Sequence, residues 1–251
     1  MERFMTPLFL TTIAGLSTGA GSLVSLSFKK INRKILSLMM GFSAGVMVYI
    51  SFTELLTKSI AWIGFLNANL AFFGGMFAIA LIDFLIPHDY IEEMSHRGKV
   101  RDDRVLLAGI FTALGLAIHN FPEGMAVFAA SLKDPHIGIS LTVAIALHNI
   151  PEGVAVAMPI YYATGSRKKG FIYSFLSGVA EPVGAIIAML ILMPYLNDTV
   201  LNAVLAAVGG LMVFISFDEI LPVTFRDEGS HLAIVGIIGG MIVMALSLAL
   251  F

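Results

Sequence analysis

The chain has no cysteine. Disulfide frameworks and thiolate metal sites are therefore excluded, and any metal it handles must be held by nitrogen and oxygen. Charge is also scarce, at 13% of 251 residues, where an ordinary soluble domain carries about a quarter. The 15 Lys and Arg nearly balance the 17 Asp and Glu, and no nucleic-acid partner is expected. Long polar stretches are missing too. The longest connection between apolar runs is Pro87 to Asp103, which leaves no room for a second domain. What remains is 58% hydrophobic with a mean hydropathy of +0.91. Such a chain belongs in lipid, where a helix of about 20 residues satisfies its own backbone hydrogen bonds. The fold class expected is an all-α membrane protein.

Charged, Pro- and Asn-marked breaks divide residues 1–251 into eight spans of a single transmembrane domain, near 6–28, 35–57, 62–86, 104–131, 137–163, 170–194, 198–222 and 231–251. The first run is too long for a signal-peptide core and lacks a small-residue cleavage site, so it is read as a span. With the N-terminus outside, all of the 15 basic residues except Arg3, Lys58 and Lys133 fall on inner loops. The positive-inside rule then places both termini on the extracytoplasmic face. Asn197-Asp198-Thr199 matches a glycosylation acceptor by accident of composition.

Two phrases recur. MVYISFTELL (Met47 to Leu56) in span 2 is echoed by MVFISFDEIL (Met212 to Leu221) in span 7. Spans of opposite insertion sense carrying one sequence mark an inverted repeat, here two three-helix units flanking two central helices. Those central spans carry the second echo, HNFPEG at His119 to Gly124 and HNIPEG at His148 to Gly153.

In each copy His and Glu stand at i and i+4, on one helix face and about 6 Å apart along the axis. His119, Glu123, His148 and Glu152 can thus converge from facing helices on one zinc-sized point. Asn120 and Asn149 are i, i+3 to the same glutamates, so a second metal position bridged by Glu123 and Glu152 is geometrically reasonable. Pro122 and Pro151 free the carbonyls of Ile118 and Leu147, as in kinked helices that line a cavity, and Gly124 and Gly153 allow close packing. Glu181, beside Pro182 in span 6, is a third intramembrane carboxylate. Each such charge costs about 2.5–3.5 kcal/mol at mid-membrane, so the three need protons, partners or cations.

At these residues the sequence resembles the ZIP (Zrt-, Irt-like) family of divalent metal transporters, especially its bacterial zinc-uptake members, over the whole chain. The resemblance implies a binuclear centre, with one position at His119, Glu123, His148 and Glu152 and a second at Asn120, Glu123, Asn149, Glu152 and Glu181. It implies zinc movement into the cytoplasm across a bacterial inner (plasma) membrane, within membrane lipid and often as a homodimer. Spans 1, 4, 5 and 6 would move against the other four. No prosthetic group is expected, and Fe²⁺, Mn²⁺, Co²⁺ and Cd²⁺ are expected alongside Zn²⁺, because mixed His, Asn and Glu ligands select weakly. An intramembrane metal-dependent hydrolase is the alternative, although the HExxH arrangement is absent. A proton-coupled organic carrier would need a larger polar cavity.

Other polar residues have plainer readings. Glu54, Asp218 and Glu219 are expected to be interfacial charges. Asp83 suits an interface or an inner exit equally, Asp134 and His136 an ordinary outer turn, and His88, Asp89, Glu92, Glu93 and His96 a solvated loop. Met47, Met125, Met158 and Met212 are expected to pack rather than ligate, and Gly15/Gly19 and Gly41/Gly45 to make tight helix contacts.

Overall fold

A computed structural model describes residues 2–28, 32–85, 103–133, 135–192, 195, 197–225 and 230–250. These residues form helices and their connections, with no strand among them. In chain order the long helices are α1 (Glu2–Leu26), α2 (Arg33–Ile63), α3 (Phe65–Leu85), α4 (Asp103–Lys133), α5 (Pro135–Thr164), α6 (Arg167–Ile187), α7 (Asp198–Phe225) and α8 (Ser230–Leu250). Seven are long and apolar enough to cross a membrane, and α3 contributes the shorter apolar stretch Phe65–Leu81. The acidic loop cluster from His88 to His96, the basic residues Lys29, Lys30, Arg97, Lys99, Arg101 and Arg226, and Asp134 lie outside the described residues. So do the side chains of Asp83 and Arg104.

Local chemistry sets the helix ends. Asn32 caps α2 by accepting from the Ile35 amide at 2.9 Å, and Ser166 caps α6 by accepting from Lys169 at 3.3 Å. Asn197 caps α7 through Val200 at 2.9 Å, which gives the residue of the glycosylation-like tripeptide a structural use. One boundary differs from expectation. The break expected around residues 58–61 does not occur, because α2 continues to Ile63 and the chain reverses at Gly64, whose φ of +82° suits glycine. Lys58 reads as a loop marker in the sequence, yet it pairs with Glu54 one turn earlier on the same helix, so its charge does not end the helix.

The helices pack as two groups. α1, α4, α5 and α6 pack against one another, while α2 lies on α8 and α3 on α7; the groups meet where α5 crosses α2 and α4 crosses α7. At that meeting surface Met40 and Met47 of α2, Leu116 of α4, Met158 of α5 and Met212 of α7 join one buried apolar cluster. The methionines pack, as expected.

The repeat extends well beyond the ten-residue echo. Gly45 abuts the carbonyl of Ile237 as Gly210 abuts that of Phe72, and Gly75 abuts Ala207 as Gly240 abuts Phe42. In every case the equivalent position lies 165 residues along, the same offset that carries Met47 to Met212. In the other group Gly153 abuts the Thr18 carbonyl as Gly124 abuts that of Glu181. A two-fold exchange thus relates α1–α3 to α6–α8 and α4 to α5. Both copies of the echoed segment also leave the α-helix for a π-helical turn that begins at the equivalent serine, over Ser51–Leu56 and Ser216–Ile220. The expected glycine pairs serve this packing. Gly15 faces Gly178, Gly19 faces the Phe175 ring, and Gly41 and Gly45 press on the backbone of α8 at Ala233 and Ile237.

Candidate metal site

The polar phrases of α4 and α5 sit side by side near the two-fold axis. Neither Pro122 nor Pro151 interrupts its helix, so each phrase remains helical and its i, i+4 pair stays on one face. His119, Asn120, Glu123, His148, Asn149, Glu152 and Glu181 are all buried. The structure therefore gathers all seven residues singled out by the sequence into one interior region.

Across the pair of helices, His148 Nε2 lies 3.0 and 3.3 Å from the two oxygens of Glu123. His119 Nε2 lies 3.1 Å from Glu152 Oε1 and 3.4 Å from Glu123 Oε1, without hydrogen-bond alignment. The imidazole centroids are 6.3 Å apart. His119, His148 and Glu152 offer ligand atoms within 4.8 Å of one another, a spacing that a metal ion could gather.

The asparagines flank this group in matching ways. Asn120 Nδ2 donates to the Ser177 carbonyl of α6 at 3.1 Å, and Asn149 Nδ2 donates to the Ala14 carbonyl of α1 at 3.0 Å. Asn149 Nδ2 also donates to Glu181 Oε1. With their nitrogens turned toward backbone, both amides leave Oδ1 without a hydrogen bond among the described residues, and Glu181 Oε2 and both oxygens of Glu152 are likewise without one. Buried acceptors are costly to leave unpaired. A set composed almost wholly of acceptors suits a cation.

Small hydroxyls that no sequence pattern marks hold the backbone of α5 around the phrase. Ser43 of α2 donates to the Pro151 carbonyl at 2.8 Å, and Ser174 of α6 donates to the Gly153 carbonyl at 3.1 Å. A lone serine in an apolar span has no pattern to betray it; only the contact identifies it.

A cavity of about 370 Å³ reaches this site from one end of the bundle. Glu123 and His148 form part of its lining, as do Glu54, Lys58 and Trp62 of α2 and Asn202 of α7. Glu54, expected at an interface, thus shares this cavity with Glu123 and His148. On the other side, among the described residues, the two-fold counterpart of Glu54 is Glu219, which borders a cavity of only about 10 Å³. His136 is exposed.

The family pattern described as ZIP Zinc transporter matches residues 86–248. A zinc transporter ZupT from Chlorobium phaeovibrioides is 52% identical, over 100% of this chain and 99% of the relative. Zinc transporters ZupT from Oceanobacillus iheyensis and Streptococcus mutans are each 49% identical over the same shares.

Proposed function

The chain belongs to the ZIP zinc transporter family, one of transporters and not of enzymes, and from that premise we propose that it carries zinc into the cytoplasm through the site between α4, α5 and α6. The hydrolase alternative falls with it. The observation that carries the reading is the buried donor set of His119, Glu123, His148 and Glu152, of which Glu123 and His148 line the cavity, continued by the unbonded oxygens of Asn120, Asn149 and Glu181. One ion takes the first four as ligands. A second takes Asn120, Asn149 and Glu181, with Glu123 and Glu152 bridging.

Residues 1–251 act as one membrane domain in the bacterial inner membrane, with both termini extracytoplasmic. In that orientation α2 leads outward from Arg33 and Lys34, so the Glu54 end of the cavity is the outer mouth. Zinc enters there, and the group of α1, α4, α5 and α6 shifts against the group of α2, α3, α7 and α8 to release it inward. Histidine and carboxylate of borderline hardness admit Fe²⁺, Mn²⁺, Co²⁺ and Cd²⁺ beside Zn²⁺, since such a mixed set selects weakly. Protons compete with all of them, because these ligands bind metal in their deprotonated forms.

The test is zinc entry into proteoliposomes followed with a lumenal indicator, with Glu152→Ala protein reconstituted in parallel. Flux is expected in the first and none in the second. Equal flux in both would reject the site.

A further inference from the structure

The cavity holds chemistry that the buried site does not use. Its outer part is lined by Glu54 and Lys58 on successive turns of α2 and by Asn202 on α7. Lys58 pairs with Glu54, and its side chain is 66% exposed, free to swing into water. Asn202 is only 9% exposed. Its Nδ2 is tied back to the Asp198 carbonyl at 2.7 Å, and no hydrogen bond to its Oδ1 is made among the described residues. Ser59 fixes the same turn of α7 by donating to the Asn202 carbonyl at 2.8 Å. A carboxylate and a positioned amide oxygen thus line one wall-to-wall passage toward Glu123 and His148, and an ammonium group sits on the carboxylate.

From this arrangement we infer that Glu54 and Asn202 form a recruiting site for a hydrated divalent cation, for which the Lys58 ammonium is a displaceable stand-in. The inference rests on the uptake reading above. Oxygen ligands alone bind hard, hydrated ions and separate Zn²⁺ from Mg²⁺ poorly, so selection falls to the imidazoles deeper in. An arriving ion displaces Lys58 from Glu54, sheds part of its water, and passes to His148 and Glu123. Glu219, which occupies the equivalent position 165 residues along, borders a much smaller cavity, of about 10 Å³, among the described residues. It is the natural control.

Two experiments test the site. In proteoliposomes, Glu54→Gln should raise the KM for zinc about tenfold while keeping the saturating rate, since a focused charge raises local ion concentration by about that factor or more. Lys58→Gln should lower the KM, and Glu219→Gln should leave it unchanged. Excess Mg²⁺ should raise the wild-type KM and lose that effect in Glu54→Gln. Separately, Trp62 is the chain's single tryptophan and lines this cavity, so a change in its emission on adding an ion reports binding near the vestibule. In Glu152→Ala protein, Zn²⁺ and Mg²⁺ alone should each shift that emission, and Glu54→Gln added to it should abolish both responses. An unchanged KM in Glu54→Gln, a lowered saturating rate at constant KM, or a Trp62 response that survives Glu54→Gln would each overturn the recruiting role. Transport by Glu152→Ala protein would instead sink the buried-site reading, and the Trp62 titration distinguishes the two failures.

Discussion

The stretch from Met47 to Leu56 and its counterpart from Met212 to Leu221 share their sequence pattern and a π-turn that begins at the equivalent serine. They differ in what stands before them. The first borders a cavity of about 370 Å³ that ends at Glu123 and His148. The second, among the described residues, borders a cavity of only about 10 Å³ at Phe214, Ile215 and Glu219. Near-identical local sequence therefore borders cavities of very different size among the described residues. The difference lies in how one helix group is set against the other, not in the helices themselves. A protein built of two related halves can hold only one of them open at a time if its central site is never to connect both faces of the membrane.

The largest effect should come at the axis, where the two halves contribute equally. Glu123→Ala and Glu152→Ala each remove a carboxylate shared by both proposed ion positions, and each should lower zinc flux by at least about 100-fold, since losing even a partner that only orients a ligand costs about 10–100-fold. A tenfold difference between the two variants would break the symmetry at the centre. Access should separate the halves nearly as far. Because the chain lacks cysteine, single variants can be read cleanly: Ala126→Cys, on the cavity wall, should react with a hydrophilic maleimide at least about tenfold faster than its counterpart Ala155→Cys. Equal rates would mean that both sides breathe alike.

Packing should then bring the halves back together. Gly45→Val and Gly210→Val each press a side chain into a neighbouring carbonyl, of Ile237 and Phe72, and should destabilise the protein by similar amounts, about 1–3 kcal/mol. Thermal unfolding in detergent measures both. The smallest effect should mark a place where the halves differ. Ser43 ties α2 to the Pro151 carbonyl across the group boundary, whereas buried Val208 takes its place in the second half. Ser43→Ala should cost about 1 kcal/mol and change the transport rate less than tenfold. A larger loss would give this bond a part in the motion itself.

Eight apolar spans were legible because lipid demands long uninterrupted helices, and the two HN-PEG phrases were legible because polar residues at i, i+4 inside such spans have few innocent explanations. The break near Lys58 was misplaced, because a charge near a span end looks the same whether it closes a loop or pairs with Glu54 within a helix. Ser43, Ser174 and Asn202 stayed hidden because their importance lies in partners on other helices. The open and closed sides could not be read at all. Periodicity describes each helix, and this contrast belongs to the way the groups meet.

The matched π-turns also speak to ancestry. A π-turn arises when one residue is inserted into an α-helix, a change that usually survives only where it serves a purpose. Here it begins at the same register in both halves, at Ser51 and at Ser216. A single insertion before gene duplication accounts for both, where two independent ones would have to coincide. On that account the repeat already carried the distortion when it was duplicated, and its two copies have kept it while sitting upside down to one another.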